Sequence, residues 1–217
     1  MPKKTTASQD PAPRKRATTD SAKALVEAVV IAAGELLIDR GLAFSTNDVA
    51  KRAGVSIGSL YQYFPNKEAV VAEATRRVND KLRAQVQAIV DSEASPPDKL
   101  DAAVDLACSD RFGGIELRRA IFTHVPRSWS YTTIAENEKA VLAQLMCIAE
   151  ELVAWRRAQG LPTPADASGV PVALFMIRGA VQGALMYEPH LLAENRLADM
   201  LRPHMHAILG GGPLPNA

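Results

Sequence analysis

Between Ser45 and Phe64 the chain reads STNDVAKRAGVSIGSLYQYF, and its final third places Ser59, Tyr61, Gln62 and Tyr63 within five residues. These are neutral hydrogen-bonding groups, two of them on aromatic bodies. Their chemistry is recognition: they can meet phosphate oxygens, base edges or a thymine methyl. Gly58 leaves no side chain between this segment and a surface laid against it, and Lys67 follows where backbone N–H groups and a cation can hold a phosphate. The candidate contacts to double-stranded DNA are Thr46, Asn47, Ser56, Ile57, Gly58, Ser59, Tyr61, Gln62, Tyr63 and Lys67. No Ser/His/Asp or Cys/His arrangement, metal motif or phosphate loop accompanies them, so no catalytic residue, metal or cofactor is expected.

Two short helices must position these groups. Asp48, Lys51 and Arg52 alternate with Val49, Ala50 and Ala53 at the spacing of a small helix with one apolar face. Gly54 can close that helix in the left-handed conformation, Val55 pegs the turn into the fold, and Ser56 can cap a second helix from about Ile57 to Phe64. In that second helix Leu60 and Phe64 share a packing face. The result is a helix-turn-helix whose second helix fits a DNA major groove, although spacing alone also allows a structural hairpin whose tyrosines only pack.

Residues 22 to about 75 resemble the N-terminal domain of the tetracycline-repressor (TetR) family of bacterial transcriptional regulators. The resemblance rests on Ser45, Val49-Ala50, Ala53-Gly54-Val55-Ser56, Gly58-Ser59-Leu60-Tyr61, Tyr63-Phe64 and Lys67-Glu68. Ser45 and Ser59 stand where threonine is more usual, and Val70 where leucine is; serine still caps and valine still packs. The likeness covers about a quarter of the chain.

At 217 residues the chain can hold one or two domains with a proper core, and its alanine-rich texture favours helix. No run of roughly 18 uncharged apolar residues predicts a membrane span, no secretory signal is recognisable, and the expected location is the cytoplasm. The net charge is only +1, yet residues 1–80 hold 12 Lys and Arg against 9 Asp and Glu, so basic charge gathers beside the helix-turn-helix. Cys108 and Cys147 stand apart from any metal-ligand spacing and read as reduced thiols.

In chain order, residues 1–20 are expected to be a disordered basic tail. Its Lys3, Lys4, Arg14, Lys15 and Arg16 either follow phosphates, enter a minor groove, or stay solvated, and no specific contact is assigned. Residues 21–82 form the helix-turn-helix domain, with its motif at 45–64. A first helix runs from about Ser21 to Arg40, and the expected core is Leu25, Val29, Leu36, Phe44, Val49, Ala53, Val55, Leu60 and Phe64. A fourth helix, capped by Asn66, runs toward Ile89; in the family it links the reading unit to the body. Residues 83–210 form an all-helical body, and 211–217 a flexible tail. Helices are expected over about Lys99–Ser109, with Asp98 as cap, then Ile115–Thr123, Tyr131–Gln159, Pro171–Tyr187 and Asn195–Leu209. The fold class is therefore all-α: a homeodomain-like three-helix unit followed by a helical bundle.

In Pro171–Tyr187, Gly179 and Gly183 lie one turn apart and permit close approach of another helix. With the amphipathic helix carrying Leu197, Leu201 and Met205, this is the expected dimer interface, and the resemblance implies the same homodimer. A two-fold dimer suits a near-palindromic operator. The resemblance also implies a small-molecule effector in the body. The candidate pocket residues are Phe112, Phe122, Trp129, Met146, Phe175 and Arg178, whose charge in an apolar helix requires either a ligand carboxylate or a neighbouring Glu. The expected function is a dimeric DNA-binding regulator, a repressor relieved by its effector. The alternatives are a ligand-independent architectural DNA-binding protein and, more remotely, a helical enzyme.

Overall fold

A computed structural model describes residues 11–110, 114–129, 131–164 and 169–211. Among these, every regular element is helical: α1 (Asp20–Arg40), α2 (Thr46–Ala53), α3 (Ile57–Tyr63), α4 (Lys67–Val90), α5 (Pro96–Cys108), α6 (Gly114–His124), a 3-10 turn (Arg127–Trp129), α7 (Tyr131–Ala158), α8 (Gly169–Tyr187), α9 (His190–Ala193) and α10 (Arg196–Gly210). The chain divides into two compact units, Met1–Asn79 with Ala120–Glu136, and Asp80–Arg119 with Asn137–Ala217. The tail at 1–10, Phe112 and the C-terminal 212–217 lie outside the described residues.

In the first unit, α1 packs against both α2 and α3. Val29, Leu36, Phe44, Val49, Leu60 and Phe64 are buried as the periodicity requires, and Val70 and Val71 of α4 join them. Leu25, Ala53 and Val55 are half-buried at the margin. Arg52 reaches back from α2 to Glu35 and Asp39 of α1, at 3.0 and 3.1 Å. Glu73 of α4 takes guanidinium bonds from Arg76 and Arg77; burial alone would raise its carboxyl, but the two cations hold it below the usual range.

In the second unit, α10 packs on α5, α8 and α9. Leu100, Val104, Ile148, Leu152, Val181 and Met205 are among the side chains of one continuous core. The start of α5 differs from the expected cap. Ser95, not Asp98, is the capping residue, its Oγ accepting from the Asp98 N–H, and Pro96 and Pro97 occupy the first helical turn. Proline needs no N–H partner there, so the Pro-Pro pair begins the helix. The short helix α9 was not anticipated; Pro189 opens it and Asn195, with φ 55°, turns the chain into α10.

Helix α8 is long and apolar enough, by length and composition, to cross a membrane. Its Val170, Ala173, Ile177, Val181, Ala184 and Leu185 are instead buried in the unit's core.

Candidate nucleic-acid interface

The helix-turn-helix is fixed at the start of each of its two helices by local hydrogen bonding that the sequence encodes. Ser45 and Asp48 form a full capping box at the start of α2: Asp48 N–H donates to Ser45 Oγ at 3.2 Å, and Ser45 N–H to Asp48 Oδ2 at 2.8 Å. The Ser45 hydroxyl also donates to Asp48 Oδ2 at 2.7 Å, and the two bonds from its hydroxyl and N–H hold the Asp48 carboxyl below its ordinary range. Gly54 closes α2 at φ 68° and ψ 28°, a conformation that costs a residue with a Cβ about 1–2 kcal/mol. Ser56 then caps α3, accepting from the Ser59 N–H at 3.0 Å. Turn and helix start are therefore determined within twelve residues of chain, and Leu60 and Phe64, both fully buried, anchor α3 from behind.

What α3 presents outward is a short polar row. Tyr61 is 40% exposed, Gln62 and Gly58 are exposed, and Ser59 and Ile57 are half-buried. Tyr61 Oη lies 2.9 Å from Thr46 Oγ1, joining the start of α2 to the second half of α3 in one surface, with Asn47 exposed on α2. Ser56 and Ser59 share a hydroxyl contact at 2.8 Å, so both are engaged in the cap as well as facing the surface.

Two residues of the expected contact set have structural duties. The Tyr63 ring is buried, and the Lys15 ammonium lies over it at 4.6 Å. Lys67 Nζ donates to the carbonyls of Leu42 at 2.7 Å and Phe44 at 3.1 Å, and sits 5.5 Å from the Phe44 ring centre. It ties the α1–α2 connection to α4. Replacing Lys67 by Met is expected to lower unfolding free energy by about 1.5–3 kcal/mol, because two carbonyls lose a charged donor. Denaturant unfolding reads this. An unchanged midpoint with a shallower salt dependence of DNA binding would instead make Lys67 a phosphate contact.

The residues expected to hold a ligand are divided between the two units. Phe122, exposed on α6, and Trp129, half-buried in the 3-10 turn, belong to the first unit, whereas Met146, Phe175 and Arg178 belong to the second. Phe175 is 63% exposed. Arg178 is ion-paired with Glu138 of α7, the second of the two partners its position allowed. The second unit has a different concavity, a groove of about 730 Å³ lined by Gln85, Ile89, Lys99, Asp105, Leu192 and Asn195 among others. Lys99 is buried there and bonds Val90 O at 2.8 Å and Glu151 at 2.7 Å; Asp105 is paired with Arg202. Met146 lines a second, smaller concavity of about 310 Å³ beside Val170 and Leu209.

Of the residues expected at the dimer seam, Leu197, Leu201 and Met205 are buried within their own unit, because that face of α10 packs on the neighbouring helices of its own chain. Gly179 is exposed and Gly183 half-buried, and a Cβ added to either would meet nothing within 4 Å. The outward face of α10 carries Met200, Pro203, His204 and Ala207. Cys108 is buried, and burial pushes its thiol up to about 11; Cys147 is exposed, and both are free thiols.

Residues 30–74 match the family model for bacterial regulatory proteins of the tetR family. The chain is 42% identical over 69 residues to the HTH-type transcriptional repressor KstR2 of Mycolicibacterium smegmatis, a match covering 31% of this chain and 34% of the relative. It thus spans about a third of the length of that curated relative. Across most of both chains, the fold resembles FadR of Bacillus subtilis, a transcriptional regulator solved with stearoyl-CoA, at TM-score 0.61 and 18% identity, covering 85% of this chain and 98% of that one. A transcriptional regulator from Rhodococcus sp. Rha1 superposes at TM-score 0.61 with 26% identity, over 88% and 98% of the two chains.

Proposed function

We propose that this chain, which belongs to the TetR family of bacterial transcriptional regulators, works as a dimeric repressor whose operator binding is relieved by a small molecule held in its second unit. Membership makes it a DNA-binding regulator and not an enzyme, and supports the cytoplasm as the compartment in which it works. The observation that carries the reading is α3 itself: a helix capped at Ser56, anchored by Leu60 and Phe64, and turning Tyr61 and Gln62 outward beside Thr46. Such a surface reads a major groove with hydrogen bonds and apolar contact together.

Repression is supported by the KstR2 likeness, which covers the DNA-reading segment, and by physics: a protein seated on an operator excludes polymerase without further parts. Dimerisation is supported by the open apolar face of α8. The effector reading is supported by the groove beside Lys99 and Asp105, which has the volume of a small-molecule site. The stearoyl-CoA complex of the FadR relative makes acyl thioesters one class to include among trial ligands.

The experiment is enrichment of random duplex DNA by the full-length protein at about 0.15 M salt, followed by sequencing and a ligand screen on the enriched duplex. An inverted repeat is expected, together with a compound that lowers affinity for it. An asymmetric single site would count against the dimer. Affinity unmoved by every ligand, with the groove blocked by an Ala102→Trp substitution to no effect, would count against the effector.

A further inference from the structure

The segment preceding α1 is seated on the reading helix. Arg14 N–H donates to the Tyr63 carbonyl at 2.6 Å, its guanidinium approaches the Tyr61 carbonyl at 3.5 Å, and the Lys15 ammonium covers the Tyr63 ring. All three contacts fall on the last turn of α3, where helix carbonyls lack intrahelical partners and carry partial negative charge. Arg14, Lys15 and Arg16 are nevertheless exposed to solvent. The backbone is thus pinned on α3 while the three side chains, two of them resting lightly on its last turn, remain exposed to a partner outside the protein.

We propose that Arg14, Lys15 and Arg16 form a second DNA-contact element, an arm that binds phosphates flanking the groove entered by α3. The proposal rests on the DNA-reading function of α3 and adds to it a partner surface outside the helix-turn-helix. Two features on the page support it. First, an unmodified α3 C-terminus would face the polyanion with carbonyl oxygens; the docked arm reverses the sign of that edge. Second, docking on the reading helix removes much of the conformational freedom that a free basic tail loses on binding, so its cations act at less entropic cost. Exposed guanidinium and ammonium groups on this short non-helical segment suit phosphate oxygens.

The test compares the full-length protein with its R14A/K15A/R16A variant on the enriched duplex and on an unrelated duplex, from about 0.05 to 0.3 M salt. Each phosphate contact contributes roughly 0.9 to the slope of log affinity against log salt, so the triple variant should be shallower by about 2 to 3. Affinity should fall about 10- to 100-fold on both duplexes, since phosphates carry no sequence. An R14K/R16K variant should keep the wild-type slope, and circular dichroism should be unchanged because the three side chains are exposed. Equal slopes for wild type and triple alanine variant would overturn the proposal while leaving α3 as the reader. A loss confined to particular flanking sequences would overturn the phosphate assignment, since it requires base-edge contact. A wild-type protein that enriches no duplex would overturn the DNA-reading function and the arm with it.

Discussion

Gly183→Leu is expected to leave the protomer folded and to raise its dimer dissociation constant by at least about 30-fold. The outward face of α8 carries Val172, Phe175, Met176 and Tyr187, from 38% to 80% exposed, with Gly179 and Gly183 in the same stripe. Met200 of α10, 59% exposed, adds to it. Water-facing apolar surface of this extent on two helices is what the proposed dimer requires, since a two-fold pairing of α8 and α10 would cover it with a second copy. Within one chain a leucine at 183 has room, because nothing approaches a Cβ there within 4 Å, and it favours helix over glycine by about 1 kcal/mol. In a close-packed seam the same side chain is forced against the partner. Overpacking costs about 1–3 kcal/mol per protomer, hence about 2–6 for the pair. Sedimentation across a dilution series measures the constant, with the melting temperature as the control for folding. A dimer that persists at wild-type concentrations would place the seam elsewhere. Operator affinity should fall in parallel, because a monomer engages one half-site.

Tyr61→Ala is expected to weaken operator binding by about 1–3 kcal/mol, or roughly 5- to 150-fold, with the melting temperature nearly unchanged. The ring projects from α3 and is 40% exposed, so its removal opens no cavity in the core. Its hydroxyl contributes a further constraint through Thr46 at 2.9 Å, which holds the ring over the surface shared by α2 and α3. Tyr61→Phe retains the ring and loses that bond; about 0.5–1.5 kcal/mol of the effect should remain with it. Titration of the enriched duplex with the three proteins at one salt concentration separates the contributions. Affinity equal to wild type in the alanine variant would remove Tyr61 from the contacts.

Chemistry at the two ends of the motif was legible because it is local. Ser45 with Asp48, Gly54 and Ser56 act across three or four residues of chain, and a hydrogen bond or left-handed turn of that reach depends on little beyond the residues that make it. The same reasoning placed the helices and the faces of Val49, Leu60 and Phe64, since a period of 3.6 residues follows from the backbone alone. At Ser95 this local logic was available too, and the cap fell to the serine because the two prolines that follow already occupy the first turn.

Which amphipathic face meets its own chain and which is left outward was not local. Leu197, Leu201 and Met205 satisfy the spacing of an interface, yet contacts of α10 with α5, α8 and α9 consume that face, and Met200 remains outside. Lys67 reads as a free cation until the Leu42 and Phe44 carbonyls, more than twenty residues earlier, are brought to its ammonium. Arg178 permitted two partners, and only the packing of α7 beside it supplied Glu138. The arm is the same case: Arg14 is 49 residues from Tyr63 in sequence and 2.6 Å from it in space. Sequence alone determined the reading motif and the helical class, because both are fixed by short-range backbone geometry. Tertiary structure decided the partners of charges and the occupancy of faces, because those depend on which distant segments pack against the same surface.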